Sequence, residues 1–266
     1  MESRNPYGKS WEELISLDRL FLLEVACSER SILSEEVLSR HGPNSAMRCA
    51  HWNGFDLTTR SGVEKLKQLV RERRPKHIWI SCECGPFSPL QRINQRTPKQ
   101  CEELQRKRES AVQQYLGGIE VARFGRRYGS QIHWELSEKC EAWNLPIIQS
   151  FLEEQHLRRV TCRGCTVNLR AHDTGELMCK GWTIATTNYN ILRHMNLPCQ
   201  RNHKHTVCES GRTHYSSFYT PIFAKKVIDA LQEQEAWSAL SQELSLPPIV
   251  RCQIHSFAWK TQRHAW

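Results

Sequence analysis

The fold is decided by residues 77–88, which read HIWISCECGPFS. The hydrophobic segment 77–81 predicts a buried strand, and the Gly85-Pro86 turn ends that strand and carries Cys84 just beyond it. In an open α/β sheet, ligands bind in the crevice outside the carboxyl ends of the strands. The stretch therefore predicts a sheet of this class, with the Cys84 thiol at its ligand-binding edge.

Outward from this strand, hydrophobic segments alternate with helical patterns along the chain. Gly42 is predicted to end the first helix and Ser61 to cap the second, while the long third helix is expected to break near Gly117-Gly118. The alternation predicts an α/β fold with a parallel or mixed sheet. The predicted strands are 20–26, 46–50, 77–81, 131–136, 158–161 and 182–186, and the predicted helices are 34–40, 61–73, 99–127, 146–155, 189–195 and 223–240.

The composition favours one large domain with a small appendage, in a reducing compartment. The chain has 266 residues and twelve cysteines, and it contains no run of about 18 apolar residues that would span a membrane. Residues 1–10 are polar and lack the apolar centre of a signal peptide. We therefore expect a nuclear or cytoplasmic protein that is not secreted, with thiols available for catalysis or metal binding. The texture changes near residue 197, which divides an α/β domain, 1–196, from a Cys/His-rich extension, 197–266.

The charge of the chain favours a polyanionic partner, with nucleic acid first. The formal net charge is +9, and basic residues cluster at 71–76, at 96–108 and at Arg123, Arg126 and Arg127. A solvated helix face is the alternative for the middle cluster, because Glu102, Glu103 and Glu109 are interspersed there.

The Cys84 loop resembles the Pro-Cys-Gln-x-Phe-Ser motif of DNA cytosine-5 methyltransferases. Cys84, Phe87 and Ser88 match this motif, whereas Glu83 stands in place of its proline and Gly85 in place of its glutamine. The resemblance implies that the Cys84 thiolate attacks C6 of a cytosine, so that C5 can accept a methyl group. Sulfur suits this step because it is nucleophilic near neutral pH and can later be expelled.

Further positions follow in the order that the family uses. Glu24 and Cys27, in the segment 24–28 at the end of the first strand, and Asp56 fall where the family binds S-adenosylmethionine, but the segment 20–40 has none of the family's glycines. Glu135, in Trp134-Glu135-Leu136, matches the glutamate that binds the flipped cytosine, and Arg170 is the candidate for the arginine beside the base. The resemblance covers about residues 20–187 and omits the family's large target-recognition domain. As a whole, the chain is similar to the methylase-like segments of mobile-element-derived eukaryotic genes.

The resemblance implies a Rossmann-like, methyltransferase-type open sheet with a Cys/His-rich C-terminal extension. It also implies an S-adenosylmethionine-dependent enzyme, active or degenerate, that acts on nucleic acid, and the partner expected from the family is DNA. Cys84, Glu135 and Asp56 are then expected to line one crevice.

A second constellation combines a Cys-x-x-Cys pair with a downstream Cys/His cluster. Soft thiolates and imidazoles at short spacing suit tetrahedral zinc, in a structural role. Such an ion would tie the segment after Trp182 back to the α/β core. The preferred tetrad is Cys165, Cys199, His203 and His205, with Cys162 and Cys208 in reserve and Cys179 as a further candidate.

Two alternatives to methyl transfer stay open. His133-Trp134-Glu135, followed by Cys162 and Cys165, has the form of the zinc-dependent nucleotide deaminase signature, although Thr161 replaces its proline. The third hypothesis is a zinc-stabilised nucleic-acid-binding module without catalysis, which the missing glycines favour.

Overall fold

In the part of the chain that the structure describes, six strands form one mixed sheet. The computed structural model describes residues 19–208 and 211–243. The spatial order of the strands is β2-β1-β3-β4-β6-β5, which confirms the α/β prediction. The strands are β1 (Leu22–Val25), β2 (Ala46–Cys49), β3 (His77–Ile80), β4 (Gln131–Ser137), β5 (Arg158–Arg163) and β6 (Gly181–Thr186).

Helices connect and cover these strands. Short 3-10 turns, among them Gly85–Phe87 and Gly164–Val167, follow several of the strands. None of the described helices is long and apolar enough to cross a lipid bilayer. The α-helices are α1 (Ile32–His41), α2 (Arg60–Arg73), α3 (Pro98–Arg127), α4 (Pro146–Glu154), α5 (Tyr189–His194), α6 (Arg212–Tyr215) and α7 (Pro221–Glu243).

The strand directions bring several loops to one edge of the sheet. β1, β2, β3 and β4 run parallel, and β6 runs antiparallel to both β4 and β5. The carboxyl ends of β1–β5 therefore share an edge with the amino end of β6, where Ser137 pairs with Trp182 and Arg163 with Gly181. The chain order also reverses between β1 and β3, since β2 lies on the far side of β1. A reversal of this kind opens a crevice at the carboxyl edge.

Each face of the sheet carries its own apolar layer, because alternate residues of a strand point to opposite faces. On one face, Leu23 and Ile78 pack with buried side chains of α2, α3 and α4. On the other face, Leu22, Trp79 and Trp182 pack with α1, α5 and α7. Helix α7, which the sequence assigned to the extension, thus covers the core of the sheet.

Helix α3 runs unbroken from Pro98 to Arg127, so the break predicted at Gly117-Gly118 is wrong. Both glycines are buried, and a Cβ on Gly117 would collide with the carbonyl oxygen of Leu57. A Cβ on Gly118 would lie 3.1 Å from the Trp134 ring. These glycines therefore permit close packing, and the packing offsets the cost of glycine in a helix.

The predicted helix ends are confirmed in one case and corrected in another. Gly42 ends α1 with a φ of 85°, as expected of a glycine in this position. Thr59, rather than Ser61, caps α2, and its Oγ1 accepts a hydrogen bond from the Gly62 nitrogen at 3.1 Å. The helix starts earlier than predicted because the Thr59 hydroxyl reaches this otherwise unpaired amide.

Candidate functional site

The loop that carries Cys84 is fastened to helix α3. Gln114 Oε1 accepts from the Glu83 nitrogen at 2.7 Å, and Tyr115 donates its hydroxyl to the Glu83 carbonyl at 2.6 Å. Arg108 donates to the Pro86 carbonyl at 3.2 Å and stacks over the Phe87 ring. These contacts hold the half-buried Cys84 at the carboxyl end of β3 before any ligand arrives.

Glu135 enters the same edge from β4 and is held by a buried hydroxyl network. Its side chain is 8 % exposed, and its Oε2 accepts from the Tyr219 hydroxyl at 2.7 Å. Tyr219 in turn lies 2.8 Å from the Ser81 hydroxyl and accepts from Trp79 Nε1 at 3.0 Å. The carboxyl group therefore has a fixed orientation.

The two groups influence one another's protonation. Burial raises the pKa of Glu135 to about 7, and the negative charge of the neighbouring Cys84 thiolate adds to this increase. The pKa of Cys84 is lowered below its ordinary value, first by the hydrogen-bonding thiol of Cys140 and then by the charge of Lys180. The Cys140 Sγ also lies 3.8 Å from the Cys84 carbonyl oxygen. At neutral pH the site can thus present a thiolate beside a carboxyl group that still holds a proton.

Lys180 provides the positive charge of the site. It directly precedes β6, and its Nζ donates to the Ser216 carbonyl at 2.8 Å and contacts the Ser216 hydroxyl at 3.3 Å. Its charge lowers the pKa of both Cys84 and Glu135. We call Cys84, Glu135 and Lys180 the reactive site.

Two of the predicted cofactor residues, Glu24 and Cys27, lie at the carboxyl end of β1, and the third, Asp56, lies between β2 and α2. Both carboxylate oxygens of Glu24 accept from its own chain, from Ser31 at 2.5 Å and from Ser34 at 2.6 Å. Cys27 is buried, and burial raises its pKa. Asp56 Oδ1 accepts from the Thr58 nitrogen and hydroxyl at 2.9 and 2.8 Å, while its Oδ2 makes no hydrogen bond within the described residues. No hydrogen bond or ion pair joins Asp56 to Cys84 or Glu135 in this part of the chain.

An aromatic side chain that the sequence analysis missed lies beside Cys27. Trp52 is 37 % exposed, and its Nε1 donates to the Cys27 carbonyl at 3.1 Å, just beyond β1. Ala26, the residue between β1 and Cys27, has a φ of 58°. A non-glycine residue in this region is uncommon and often marks a functional turn. The sequence signal was the tryptophan in the turn after the second strand.

Arg170 lies in the turn after Asn168. Its Nε donates to Asn168 Oδ1 at 2.8 Å and its NH1 to the Gly175 carbonyl at 2.7 Å. Among the described hydrogen bonds and ion pairs, none joins Arg170 to Cys84 or Glu135. The contact of Arg170 with the cytosine base stays a prediction.

Three thiols and one imidazole converge at the same edge of the sheet. The ligand atoms of Cys165, Cys179, Cys199 and His205 all lie within 4.8 Å of one another, so these four residues could hold a metal ion. Cys165 follows β5, Cys179 precedes β6, and the other two lie beyond α5. We call these four residues the Cys/His cluster.

The remaining predicted metal ligands lie around this cluster. His203 Nε2 is 3.8 Å from Cys199 Sγ, and its ring stands edge-on to that of His205. Cys162 is buried in the core, with its Sγ 3.8 Å from the Arg163 carbonyl. Cys208 Sγ lies 3.1 Å from the Ser216 hydroxyl. The structure thus joins three of the preferred four residues, Cys165, Cys199 and His205, with the further candidate Cys179.

The deaminase hypothesis requires His133 beside Cys162 and Cys165. His133 is fully buried, with Nδ1 2.9 Å from the Thr186 hydroxyl and Nε2 3.2 Å from His77 Nδ1. Burial lowers the pKa of His133 to about 3. Both ring nitrogens therefore have partners within the sheet, and Cys165 belongs to the Cys/His cluster. This arrangement gives no support to a zinc site on His133.

Sequence reasoning also missed Tyr219, Lys180 and Cys140. No local motif marks them, because they come from three separate parts of the chain.

In comparisons with known proteins, no family model, curated protein or solved structure matches this chain.

Proposed function

We propose that the protein modifies a cytosine base of nucleic acid through the Cys84 thiolate, in the manner of cytosine-5 methyltransferases. The observation that carries this proposal is the placement of Cys84, Glu135 and Lys180 at one edge of the sheet, where the charge of Lys180 lowers the pKa of the other two groups. A thiolate with a depressed pKa is the form of cysteine that attacks an electrophile. A carboxyl group with a pKa of about 7 is suited to deliver a proton at neutral pH.

The chemistry follows from these two groups. The Cys84 Sγ lone pair forms a bond to C6 of the pyrimidine. The electrons of the C5–C6 double bond then shift to the C4–C5 bond, and those of the C4–N3 double bond shift to N3. The Glu135 carboxyl donates its proton to N3, which stabilises the charge that develops there. C5 would then form a bond to the methyl group that bound S-adenosylmethionine supplies, and the N3 proton would return to the Glu135 carboxylate as the N3–C4 double bond re-forms. Loss of the C5 proton to a base then re-forms the C5–C6 double bond, and the electrons of the C6–sulfur bond return to Cys84 as the thiolate. Lys180 holds the sulfur in its charged form before the attack.

The sheet order supports a doubly wound, Rossmann-like interpretation of the fold. The first four strands lie in the order β2-β1-β3-β4, all parallel, with the reversal between β1 and β3. Doubly wound folds bind nucleotide-like ligands at such a reversal. We propose a methyltransferase-type sheet in which the antiparallel β6 is inserted beside β4.

S-adenosylmethionine would occupy the crevice at the end of β1. Trp52 offers a ring face for an adenine, and Asp56 Oδ2 is available to accept a hydrogen bond, so these two residues fit the cofactor. Glu24 does not, because both of its oxygens are already occupied. When bound, the cofactor would supply the methyl group as an electrophile.

The nucleic acid would approach along the start of helix α3. A surface groove of about 700 Å³ there includes Gln105, Arg106 and Arg108, and Arg108 also contacts the Cys84 loop. The groove does not contain Cys84 or Glu135, and Glu135 is 8 % exposed, so a base would have to be extruded from its stack to reach them. Affinity should fall steeply with salt, since phosphate contacts release counterions.

A fluorinated base tests the proposal. In DNA or RNA that contains 5-fluorocytosine, C5 carries no proton to lose after methylation, so the sulfur–C6 bond should persist. We expect a covalent complex that forms only with S-adenosylmethionine and maps to Cys84 by mass spectrometry. Calorimetric binding of the cofactor should weaken in Trp52→Ala. No adduct and no cofactor binding, with nucleic acid still bound, would instead favour the non-catalytic module.

A further inference from the structure

The ligand atoms of the Cys/His cluster lie close enough together to surround one zinc ion. With Zn–S bonds of about 2.3 Å and Zn–N bonds of about 2.05 Å, two sulfurs lie about 3.8 Å apart, and a sulfur and a nitrogen about 3.6 Å apart. Cys199 Sγ and His205 Nε2 are separated by 3.5 Å, and all four ligand atoms lie within 4.8 Å of one another. Three thiolates and an imidazole form a common set of structural zinc ligands.

The backbone around the cluster is arranged to bring these ligands together. Two isolated bridges hold the segment beyond α5: Leu197 pairs with Cys162 in β5, and Thr206 pairs with Met178, in the segment that precedes β6. Cys199 and His205 lie between these bridges. The Arg201 amide also donates to Cys199 Sγ at 3.2 Å, a contact that stabilises a thiolate ligand.

One strand end connects this cluster to the reactive site. Cys179 is the direct neighbour of Lys180, and the Lys180 carbonyl accepts from the Gly164 amide, beside Cys165, at 2.6 Å. A Cβ on Gly164 would lie 2.9 Å from that carbonyl oxygen and 2.6 Å from Leu169, so only glycine permits this approach. The backbone of Lys180 is thus held between two of the four ligands.

We propose that one zinc ion, bound by Cys165, Cys179, Cys199 and His205, fixes the backbone of Lys180 and thereby holds its ammonium group at the edge of the sheet that Cys84 and Glu135 share. Lys180 is then a positioning residue. This second part rests on the proposed role of Cys84 as nucleophile, whereas the metal site stands on its own ligand geometry.

Metal content tests the ligand set. The protein, purified without chelator, should contain one zinc per chain by elemental analysis. His205→Ala should lose it, whereas His203→Ala and Cys101→Ser should keep it, because His203 lies beside the cluster without belonging to it and Cys101 is an exposed thiol of α3. Zinc-free wild-type protein would refute the site, and loss of zinc from His203→Ala with retention in His205→Ala would refute this tetrad.

The rate at which iodoacetamide alkylates Cys84, followed by mass spectrometry at about pH 6, tests the connection. Removal of zinc should slow the reaction about 3- to 10-fold, and Lys180→Met should slow it by a similar factor, since one unit of pKa is a tenfold change in thiolate. Zinc removal should then have no further effect in Lys180→Met, and Lys180→Arg should restore the rate and the response to zinc.

If zinc removal slows alkylation in Lys180→Met by the same factor as in the wild type, the metal acts independently of Lys180. This result would refute the proposed connection between the zinc ion and Lys180. The far-ultraviolet circular dichroism of zinc-free protein must keep its helical signal for this comparison. Alkylation requires neither nucleic acid nor S-adenosylmethionine. The alkylation rates therefore test the role of zinc and Lys180 even if the protein transfers no methyl group.

Discussion

The reactive site and the Cys/His cluster use the same residue type at the same edge of the sheet, yet their neighbours differ. Cys84 lies near the Glu135 carboxyl, the Lys180 ammonium and the Cys140 thiol. The cluster brings three thiols to one imidazole, without a carboxylate among its ligand atoms. A single thiolate next to a proton donor can attack and leave, whereas several thiolates around a common centre satisfy a metal. The number and kind of neighbours, rather than the cysteine itself, therefore determine the chemistry.

Serine substitution of one thiol in each region should separate the two most strongly. Cys84→Ser is expected to abolish the adduct with 5-fluorocytosine and to lower base modification by on the order of 10⁶-fold, as for other lost nucleophiles. Its zinc content and thermal unfolding midpoint should not change. Cys165→Ser should lose zinc, while Cys84 should still be alkylated at the reduced rate expected of zinc-free protein. Loss of zinc from Cys84→Ser would break the comparison.

The pH dependence of stability should also distinguish the two regions. Glu135 has a folded-state pKa of about 7 against an ordinary value of 4.5. Between these two pH values the Glu135 carboxyl is protonated in the folded protein and ionised in the unfolded chain. The stability that Glu135 contributes below pH 4.5 is therefore lost as the pH rises to about 7. The loss is on the order of 3 kcal/mol. Urea unfolding of wild type and Glu135→Gln across this range should show a difference curve with this slope.

The Cys/His cluster should respond to pH in the opposite direction, because its ligands must release protons to bind metal. Zinc affinity should therefore rise over the same range in which Glu135 loses its contribution. A flat difference curve for Glu135→Gln would mean that its carboxyl titrates as an exposed one does.

The point at which the two regions meet can be perturbed with one methyl group. Gly164→Ala would place a Cβ against Leu169 and the Lys180 carbonyl, and the expected cost is about 1–3 kcal/mol of unfolding free energy. Gly211→Ala is the matched control, because its Cβ would meet nothing within 4 Å and its φ of -57° suits alanine. Equal midpoints for the two variants in thermal unfolding would contradict the close approach.

The smallest expected effect lies in the hydroxyl network. In the wild type, the hydrogen bond from Tyr219 to Glu135 Oε2 lowers the pKa of this carboxyl, and Tyr219→Phe removes that bond. The Glu135 pKa should therefore rise, by about one unit at most, with a stability loss of about 1 kcal/mol. Tyr215→Phe, at a 51 % exposed position, is the control. Carbon-13 NMR of the labelled carboxyl measures the shift, and a fall in pKa would show that Tyr219 does not donate to Glu135.

Much of the fold was predictable because its signals are local. The apolar run before Cys84, the turn at Gly85-Pro86 and the glycine at position 42 each act within a few residues, and the structure shows the corresponding strand, turn and helix end. The pair Gly117-Gly118 was misjudged, because the surfaces that make glycine favourable there, Leu57 and Trp134, come from elsewhere in the chain.

The order of the residues already shows which chemical groups are available: a cysteine after a strand, a glutamate at the end of another, and several further thiols and imidazoles. Which of these groups lie close together depends on the packing of the whole fold. The antiparallel β6 carries Lys180 to the carboxyl edge, α7 covers the core beside Tyr219, and two single bridges bring Cys199 and His205 to Cys165 and Cys179. These contacts depend on strand order and on residues far apart in the chain, and short-range spacing contains no information about either.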